Sequence, residues 1–129
     1  MIVGLGTDII DNRRIRRLLK LYGHKFKKRC FSKNEIQISE SKYNEINSFA
    51  KKYAAKEAFV KALGSGFANG VFMKDIEVIN NKYGKPFILL YNDALVRFNN
   101  ISKSKCKIEV SLSDEIDYSI ANVIIFNND

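Results

Sequence analysis

The spacing of hydrophobic residues changes along the chain from that of a strand to that of helices, and then back to strands. A β-branched, apolar run from Ile2 to Ile10 predicts a buried strand, and the two glycines inside it indicate that other backbone or a ligand approaches closely. An amphipathic helix is predicted next, beginning at Asp11 and ending at Gly23. Its arginines should point outward, since the core-facing positions are apolar: Ile15, Leu18, Leu19 and Tyr22.

Two further helices are predicted before the middle of the chain. Ser32 and Glu35 have the S-x-x-E spacing of a capping box, which indicates the start of a short helix. An alanine-rich segment from about Asn47 to Leu63, with Gly64 behind it, predicts a longer helix. Residues 64–70 are rich in glycine and should form a loop.

The second half of the chain has mainly the patterns of strands. Strands are predicted at residues 75–79 and 87–91, with a turn near Gly84 between them, and at residues 106–112 and 118–126. A short helix through Leu95 and Phe98 separates the two pairs. This order predicts one α+β domain over residues 1–129, with a mostly antiparallel sheet packed against a long helix and shorter helices.

The formal net charge of +8 arises from one segment of the chain. Between Arg13 and Lys33 there are ten Lys or Arg and no Asp or Glu, whereas the remainder has twelve basic and fourteen acidic residues. A field this concentrated attracts an acidic partner and speeds association at low salt. Nucleic acid, an anionic membrane and an acidic protein all fit the charge, as does a solvated basic face without a partner.

The composition is that of a globular protein of the cytoplasm. Hydrophobic residues make up 46% of the 129 residues, which is enough for a core without disulfides. The two cysteines, Cys30 and Cys106, lack the spacing of a zinc site and are expected to be free thiols in a reducing compartment. No apolar run approaches the ~20 residues of a membrane-spanning helix. A membrane is not among the expected partners.

Two carboxylates are the main candidates for chemistry. Asp8 lies in the glycine-bearing strand, where an acid is costly unless it is paired or bound to a cation, and Glu57 lies among small residues of the long helix. Lys61 is four residues further on and shares the helix face of Glu57. The spacing is also compatible with an exposed strand end and an ordinary surface ion pair. If the two acids meet in space, they suit Mg²⁺, and the lysine adds a positive charge for a phosphate, as phosphoryl transfer requires.

Five motifs occur along the chain in a fixed order. They are GLGTDII from Gly4, CFSKNEI from Cys30, KKYAAKEAFVKALGSG from Lys51, GKPF from Gly84 and VSLSDEIDYSIANVII from Val110. Together they cover nearly the whole chain, and the pattern K-E-A-x-x-K-A-L-G is rarely met elsewhere. The set resembles the small holo-acyl-carrier-protein synthases, and the resemblance implies a 4′-phosphopantetheinyl transferase-like fold.

The resemblance also implies an activity. Enzymes of this family transfer 4′-phosphopantetheine from coenzyme A to a serine of apo-acyl carrier protein, in fatty acid biosynthesis, and release adenosine 3′,5′-bisphosphate. Asp8 and Glu57 match the magnesium ligands, with Mn²⁺ as an alternative metal, and Lys61 matches a lysine near the pyrophosphate. These three residues are the implied catalytic set, in which Glu57, directly or through a bound water, is the base for the serine proton.

The implied contacts with coenzyme A come from the long helix, the loop behind it and the GKPF motif. They are Lys52, Lys61, Gly64, Ser65, Gly66, Gly84, Lys85 and Pro86. Two positions differ from many relatives, which have arginine in place of Lys52 and histidine in place of Asp114. Lysine lacks the bidentate fork of arginine, so a looser phosphate contact is expected at Lys52. Asp114 is not expected to be catalytic.

The basic segment matches the helix with which the family docks its acidic carrier protein. The matching residues are Arg13, Arg14, Arg17 and Lys20, and Arg14 ranks first by its place in the motif. Such charges should affect the association rate more than the chemistry. The resemblance further implies a homotrimer with active sites between subunits.

Two non-enzymatic functions compete with this interpretation. A small nucleic-acid-binding domain would explain the net charge, but not two acids among small residues, and the chain lacks interleaved aromatic residues for stacking on bases. A non-catalytic adaptor for the carrier protein is disfavoured by the intact Asp8, Glu57 and Lys61. We therefore expect a transferase that binds coenzyme A and carrier protein, and no nucleic acid.

Overall fold

The computed structural model describes residues 1–64 and 72–129, in which the predicted helices and strands follow one another in the predicted order, with one additional helix. A single 3₁₀ turn at Met73–Asp75 precedes β2. The elements are β1 Ile2–Asp11, α1 Asn12–Tyr22, α2 His24–Cys30, α3 Lys33–Glu40, α4 Glu45–Leu63, β2 Ile76–Asn80, β3 Pro86–Leu90, α5 Asn92–Asn100, β4 Lys107–Asp114 and β5 Tyr118–Phe126.

The strands form two antiparallel sheets in the described part of the chain. One has three strands in the order β1-β5-β4, and the other is the β2-β3 hairpin. The first and last strands of the chain are thus neighbours, since Ile9 pairs with Ile120 and Leu5 with Ile124. The prediction of an α+β fold with a mostly antiparallel sheet and one long helix is confirmed, and the strands are divided between two sheets instead of one.

The long helix α4 packs directly on the three-stranded sheet. A Cβ atom at Gly4 or Gly6 would collide with the carbonyl oxygens of Ala62 and Ala58, so the backbones of β1 and α4 touch only because these positions are glycine. The buried residues of α4 are mostly small or aromatic and fill the space behind the sheet, among them Phe49, Ala54, Ala55, Ala58 and Phe59. Close contact between β1 and α4 brings their polar side chains within reach of each other.

The helix ends follow the predicted capping chemistry. The Ser32 hydroxyl accepts a hydrogen bond from the Glu35 N–H at 3.2 Å, and the Glu35 carboxylate accepts one from the Ser32 N–H at 2.9 Å, which completes the capping box. Gly64 ends α4 in the left-handed conformation, with φ of 80°. The capping box thus begins α3, and Gly64 ends α4, the helix that carries Glu57.

Three details differ from the sequence-based expectations. β1 is buried on one face only, because Leu5 and Ile9 are 66% and 62% exposed on the face away from α4. Tyr22, expected on the core side of α1, is 58% exposed at the end of that helix. A helix that was not predicted from the sequence, α2, begins at His24. This helix escaped detection because only Phe26 and Cys30 of its seven residues are buried.

Two further observations concern the cysteines and the length of the helices. Both cysteines are free and buried, as expected. Within residues 1–64 and 72–129, no helix has the length and apolar character that crossing a membrane requires.

Candidate active site

Asp8 lies on the face of β1 that meets α4. Side chains alternate along a strand, so Asp8 shares the side of Gly4 and Gly6. The Lys61 ammonium donates to Asp8 Oδ1 at 3.1 Å and to the Thr7 carbonyl oxygen at 3.0 Å. The Asp8 side chain is 16% exposed and the Lys61 side chain 55%, which places this contact at the edge of the helix–sheet interface.

Glu57 stands beside the same pair. Partial burial raises the pKa of Glu57, and the negative charge of Asp8 raises it further. A hydrogen bond from the Tyr53 hydroxyl and the charges of Lys61 and Arg14 act in the opposite direction. The two predicted acids therefore sense each other's charge, and the structure brings Asp8, Glu57 and Lys61 together.

The donor set at this site is small. Among the described residues, no group of three or more His, Cys, Asp or Glu side chains is arranged to hold a metal by itself. Mg²⁺ commonly uses one or two carboxylates and completes its shell with water and substrate phosphates. Two acids that repel each other fit such a metal, and Asp8 and Glu57 are the residues that could hold it.

A groove of about 910 Å³ lies on another side of the molecule, between α3, the first half of α4, the β2–β3 turn and β4. Four lysines give it a positive lining: Lys42, Lys51, Lys52 and Lys85. Gly84, Pro86 and Asp114 also face it. The residues that the sequence assigned to coenzyme A in the GKPF motif and at Lys52 thus share one groove.

Lys52 is the most buried of these four lysines. The residue is only 7% exposed, and its ammonium donates to the Ser48 hydroxyl at 3.1 Å. No carboxylate within the described ranges lies at ion-pair distance from it, and burial lowers the pKa of Lys52 to about 8. A buried ammonium without a counter-ion suits an anionic ligand.

Two of the other lysines already have carboxylate partners. Lys51 pairs with Asp114 at 3.3 Å, and Asp114 also accepts a hydrogen bond from the Asn47 amide at 2.9 Å. Lys85 pairs with Glu109 at 3.0 Å. Asp114 therefore holds a groove lysine and does not approach the Asp8–Glu57 pair.

The carboxylate pair and the groove lie on different faces of α4. Lys52 precedes Glu57 by five residues, which places it about 140° around the helix. Gly64 caps the end of α4 nearer the carboxylates, whereas Ser65 and Gly66 lie outside the described residues. Within one chain, the predicted catalytic residues are therefore not brought together with four of the six described coenzyme A contacts, which are Lys52, Gly84, Lys85 and Pro86.

The predicted docking residues are exposed on α1: Arg13, Arg14, Arg17 and Lys20. Arg13 binds the Asp11 carboxylate through two hydrogen bonds of 2.8 Å, so part of its charge is neutralised within the chain. The Arg14 guanidinium lies 5.9 Å from the centroid of the Tyr53 ring, beside Glu57. Arg14 thus links the basic helix to the carboxylate pair.

Comparison with known proteins shows the family to which the chain belongs. The family model described as 4′-phosphopantetheinyl transferase superfamily matches residues 4–121. The chain belongs to this superfamily. A holo-[acyl-carrier-protein] synthase of Wolbachia pipientis subsp. Culex pipiens is 50% identical over 129 residues, which cover 97% of this chain and 98% of the relative.

Solved structures of the superfamily share the fold. The crystal structure of the holo-[acyl-carrier-protein] synthase from Neisseria meningitidis has a TM-score of 0.86 at 35% identity and covers 98% of this chain and 100% of its own. The enzyme from Bacillus anthracis, in complex with CoA (3′,5′-ADP), has a TM-score of 0.79 at 31% identity, with coverage of 97% and 96%.

Sequence reasoning missed several residues of this 4′-phosphopantetheinyl transferase. Tyr53, which hydrogen-bonds Glu57, is the clearest case. Its position could have been found, because Tyr53, Glu57 and Lys61 are each four residues apart and share a helix face. Ser48 and Asn47 gave no such signal, since their roles depend on contacts with distant segments.

Proposed function

We propose that this protein is a holo-acyl-carrier-protein synthase of the cytoplasm. It transfers 4′-phosphopantetheine from coenzyme A to a serine hydroxyl of apo-acyl carrier protein. The second product is adenosine 3′,5′-bisphosphate. The observation that carries the proposal is that Asp8, Glu57 and Lys61, from separate motifs, meet beside α4 in a chain of this superfamily. Relatives that match nearly full length, such as the one from Wolbachia, have this activity as their name.

The proposed reaction is a substitution at the β-phosphorus of coenzyme A. The bond from serine Oγ to phosphorus forms, the bond from phosphorus to the bridging oxygen breaks, and the electron pair leaves with adenosine 3′,5′-bisphosphate. Glu57, directly or through a bound water, accepts the serine proton. Lys61 neutralises or protonates the leaving phosphate, and its exposed side chain has room to turn from Asp8 toward it.

We assign the metal of this reaction to Asp8 and Glu57, with Mg²⁺ as the metal and Mn²⁺ as the alternative. When bound, the metal supplies neutralisation of the negative charge on the pyrophosphate. The two side chains fit this role because a bound cation would offset the repulsion between their negative charges.

Coenzyme A is proposed to use both the groove and the edge beside α4. The groove would take the phosphates of the adenosine half through Lys52 and Lys85, with Gly84 and Pro86 beside the nucleotide. Lys61 and Gly64, together with Ser65 and Gly66, would line the pyrophosphate end. Lys52 is the main phosphate contact in this assignment because it has no carboxylate partner among the described residues.

Binding of coenzyme A should weaken as the pH rises through about 8. Lys52 has a pKa of about 8, so its ammonium loses its proton near that value and with it the attraction for phosphate. We expect KM for coenzyme A to rise roughly threefold between pH 7 and pH 9, and to stay flat in Lys52→Arg, whose guanidinium keeps its charge. Steady-state kinetics at several pH values would measure both.

Unfolding would not produce this pH dependence. The pKa of Lys52 is lowered from the value of 10.5 that unfolded lysine has, so its contribution to stability increases as the pH rises through 8. Equal rises in KM for wild type and Lys52→Arg would remove Lys52 from the coenzyme A site.

We propose a homotrimer as the functional assembly. The face of the three-stranded sheet away from α4 exposes Leu5 and Ile9 next to Ile120 and Ile124, and no element of the described chain covers it. Contiguous apolar surface of this kind commonly marks a subunit interface. An assembly would also place the groove of one chain beside the carboxylate pair of another, which one chain by itself does not do.

The carrier protein is proposed to dock on α1. The exposed charges of Arg14, Arg17 and Lys20 complement an acidic partner, whereas Arg13 is partly neutralised by Asp11. Arg14 adjoins Tyr53 and Glu57, so a carrier bound there would hold its serine near the proposed base.

Reversing the charge at Arg14 should impair use of the carrier protein. We expect Arg14→Glu to raise KM for the carrier about tenfold or more at low salt, with KM for coenzyme A near normal, because a charge pair becomes a repulsion. Lys103→Glu, an exposed site elsewhere with the same change in net charge, is the control. Equal effects of the two variants would mean that only the net charge matters.

A direct assay tests the proposed activity. The protein is mixed with coenzyme A, Mg²⁺ and an apo-acyl carrier protein, and the carrier is weighed by mass spectrometry. A gain of one phosphopantetheinyl group per carrier is expected. No mass gain with a carrier that another transferase modifies would contradict the proposal.

A further inference from the structure

A fully buried ion pair lies beside Glu57 on α4. The Lys56 ammonium is 2.6 Å from a Glu35 carboxylate oxygen, and both side chains are completely inaccessible to solvent. The ammonium also donates to the Met73 carbonyl oxygen at 2.9 Å. Lys56 is the residue directly before Glu57, so whatever holds its side chain also holds the backbone from which the Glu57 side chain projects.

The Glu35 carboxylate joins three elements of the fold. One oxygen accepts hydrogen bonds from Lys56 and from the Ser32 N–H, and the other accepts one from the Val78 N–H at 2.9 Å. The start of α3, the middle of α4 and strand β2 therefore meet at a single carboxylate. A buried ion pair is often no more stabilising than well-packed apolar residues, so this network calls for a role in geometry.

The opposite side of α4 is held at the same turn. There the Ala58 carbonyl oxygen lies directly against Gly6 of β1. Residues 56 and 58 of α4 thus contact different parts of the fold, which leaves the helix little freedom to rotate about its axis. Glu57 lies between these two points and faces Asp8.

We propose that the Glu35–Lys56 pair is a positioning device, which fixes the rotation of α4 so that the Glu57 carboxylate faces Asp8 with the separation that a divalent metal requires. The inference rests on the proposed metal-dependent function. A carboxylate carried roughly 6 Å from a helix axis moves by about 1 Å when the helix turns by about 10°. Mg²⁺ demands near-ideal geometry, so a shift of that size would weaken binding substantially.

The test compares metal binding in matched variants. The double variant E35Q/K56M removes both buried charges together, and Glu35→Gln removes one with almost no change in shape. Lys27→Met is the control, since Lys27 forms a partly buried link between α2, α3 and α4 through Glu40 and Glu45. Binding of Mn²⁺ is measured by water-proton relaxation well below each melting temperature, alongside kcat and KM in the transfer assay.

The proposal predicts a metal-specific defect. The affinity for Mn²⁺ should fall about tenfold in E35Q/K56M and in Glu35→Gln, as it commonly does when residues behind metal ligands are replaced. The rate constant kcat should fall with it, whereas KM for the carrier protein stays unchanged. Lys27→Met should lose stability and keep the Mn²⁺ affinity of wild type.

Other outcomes would overturn the inference. A folded E35Q/K56M variant with wild-type Mn²⁺ affinity would show that the pair serves packing alone. If the double variant does not fold, the Mn²⁺ affinity of Glu35→Gln is compared with that of wild type, and an unchanged affinity would overturn the inference. A wild-type protein that transfers phosphopantetheine but binds no Mn²⁺ would remove the metal site and this inference with it, whereas absence of transfer would remove the proposed function.

Discussion

Replacing Glu57 by glutamine, or Asp8 by asparagine, is expected to lower the transfer rate by at least about 1,000-fold, which corresponds to ~4 kcal/mol of transition-state stabilisation. Each change removes a proposed metal ligand, and the change at Glu57 also removes the proposed base. Stability should not fall in Glu57→Gln, because burial and the charge of Asp8 both penalise the ionised carboxylate. Transfer rates and melting temperatures would be measured together.

A matched control distinguishes the loss of a catalytic group from the loss of one negative charge. Asp93→Asn removes an exposed acid in the first turn of α5 and should keep the wild-type rate. Near-normal turnover in both Asp8→Asn and Glu57→Gln would eliminate the proposed site. A large loss of activity that parallels a loss of melting temperature would indicate a structural role instead.

Introducing charge on the open face of the sheet should have the second large effect. Leu5→Glu combined with Ile9→Glu places two carboxylates on the proposed subunit interface, where charges resist desolvation. We expect the mass in solution to fall from three chains to one and the transfer rate to fall about 100-fold or more, because the groove and the carboxylate pair separate. Light scattering coupled to size-exclusion chromatography measures the mass.

Two further measurements test whether the effect is specific to the sheet face and whether each site is shared between two chains. Val96→Glu, at an apolar position on α5 that is also more than half exposed, should leave both mass and rate unchanged. At low coenzyme A, equal mixtures of Glu57→Gln and Lys52→Met chains should exceed the average rate of the two variants measured separately, since one interface in four then combines two intact halves. A double variant that is fully active as a monomer would show that one chain suffices.

Much of the carboxylate site could be predicted from local sequence. Gly4 and Gly6 indicated close backbone approach, and the structure confirms it against Ala62 and Ala58. Capping chemistry at Ser32 and Gly64 likewise depends on a few neighbouring residues, so the ends of α3 and α4 were close to the predicted ones. That Asp8 and Glu57 meet was expected from the resemblance, because spacing alone does not relate a strand to a helix fifty residues away.

The features that sequence did not predict depend on tertiary contacts. Lys56 has the sequence context of an ordinary helical lysine, and only the approach of Glu35 and Met73 buries it. Leu5 and Ile9 have the spacing of a buried strand, yet no element of the described chain covers them. Their burial would come from another copy of the chain, and a pattern of hydrophobic residues does not distinguish that from a core within one chain.

A crystal structure of the protein with coenzyme A and Mn²⁺ would test the central claim most directly. The account predicts an anomalous difference peak about 2.2 Å from carboxylate oxygens of both Asp8 and Glu57 and from an oxygen of the pyrophosphate. Fully occupied coenzyme A whose Mn²⁺ is bound elsewhere, with Asp8 and Glu57 free of metal, would contradict it.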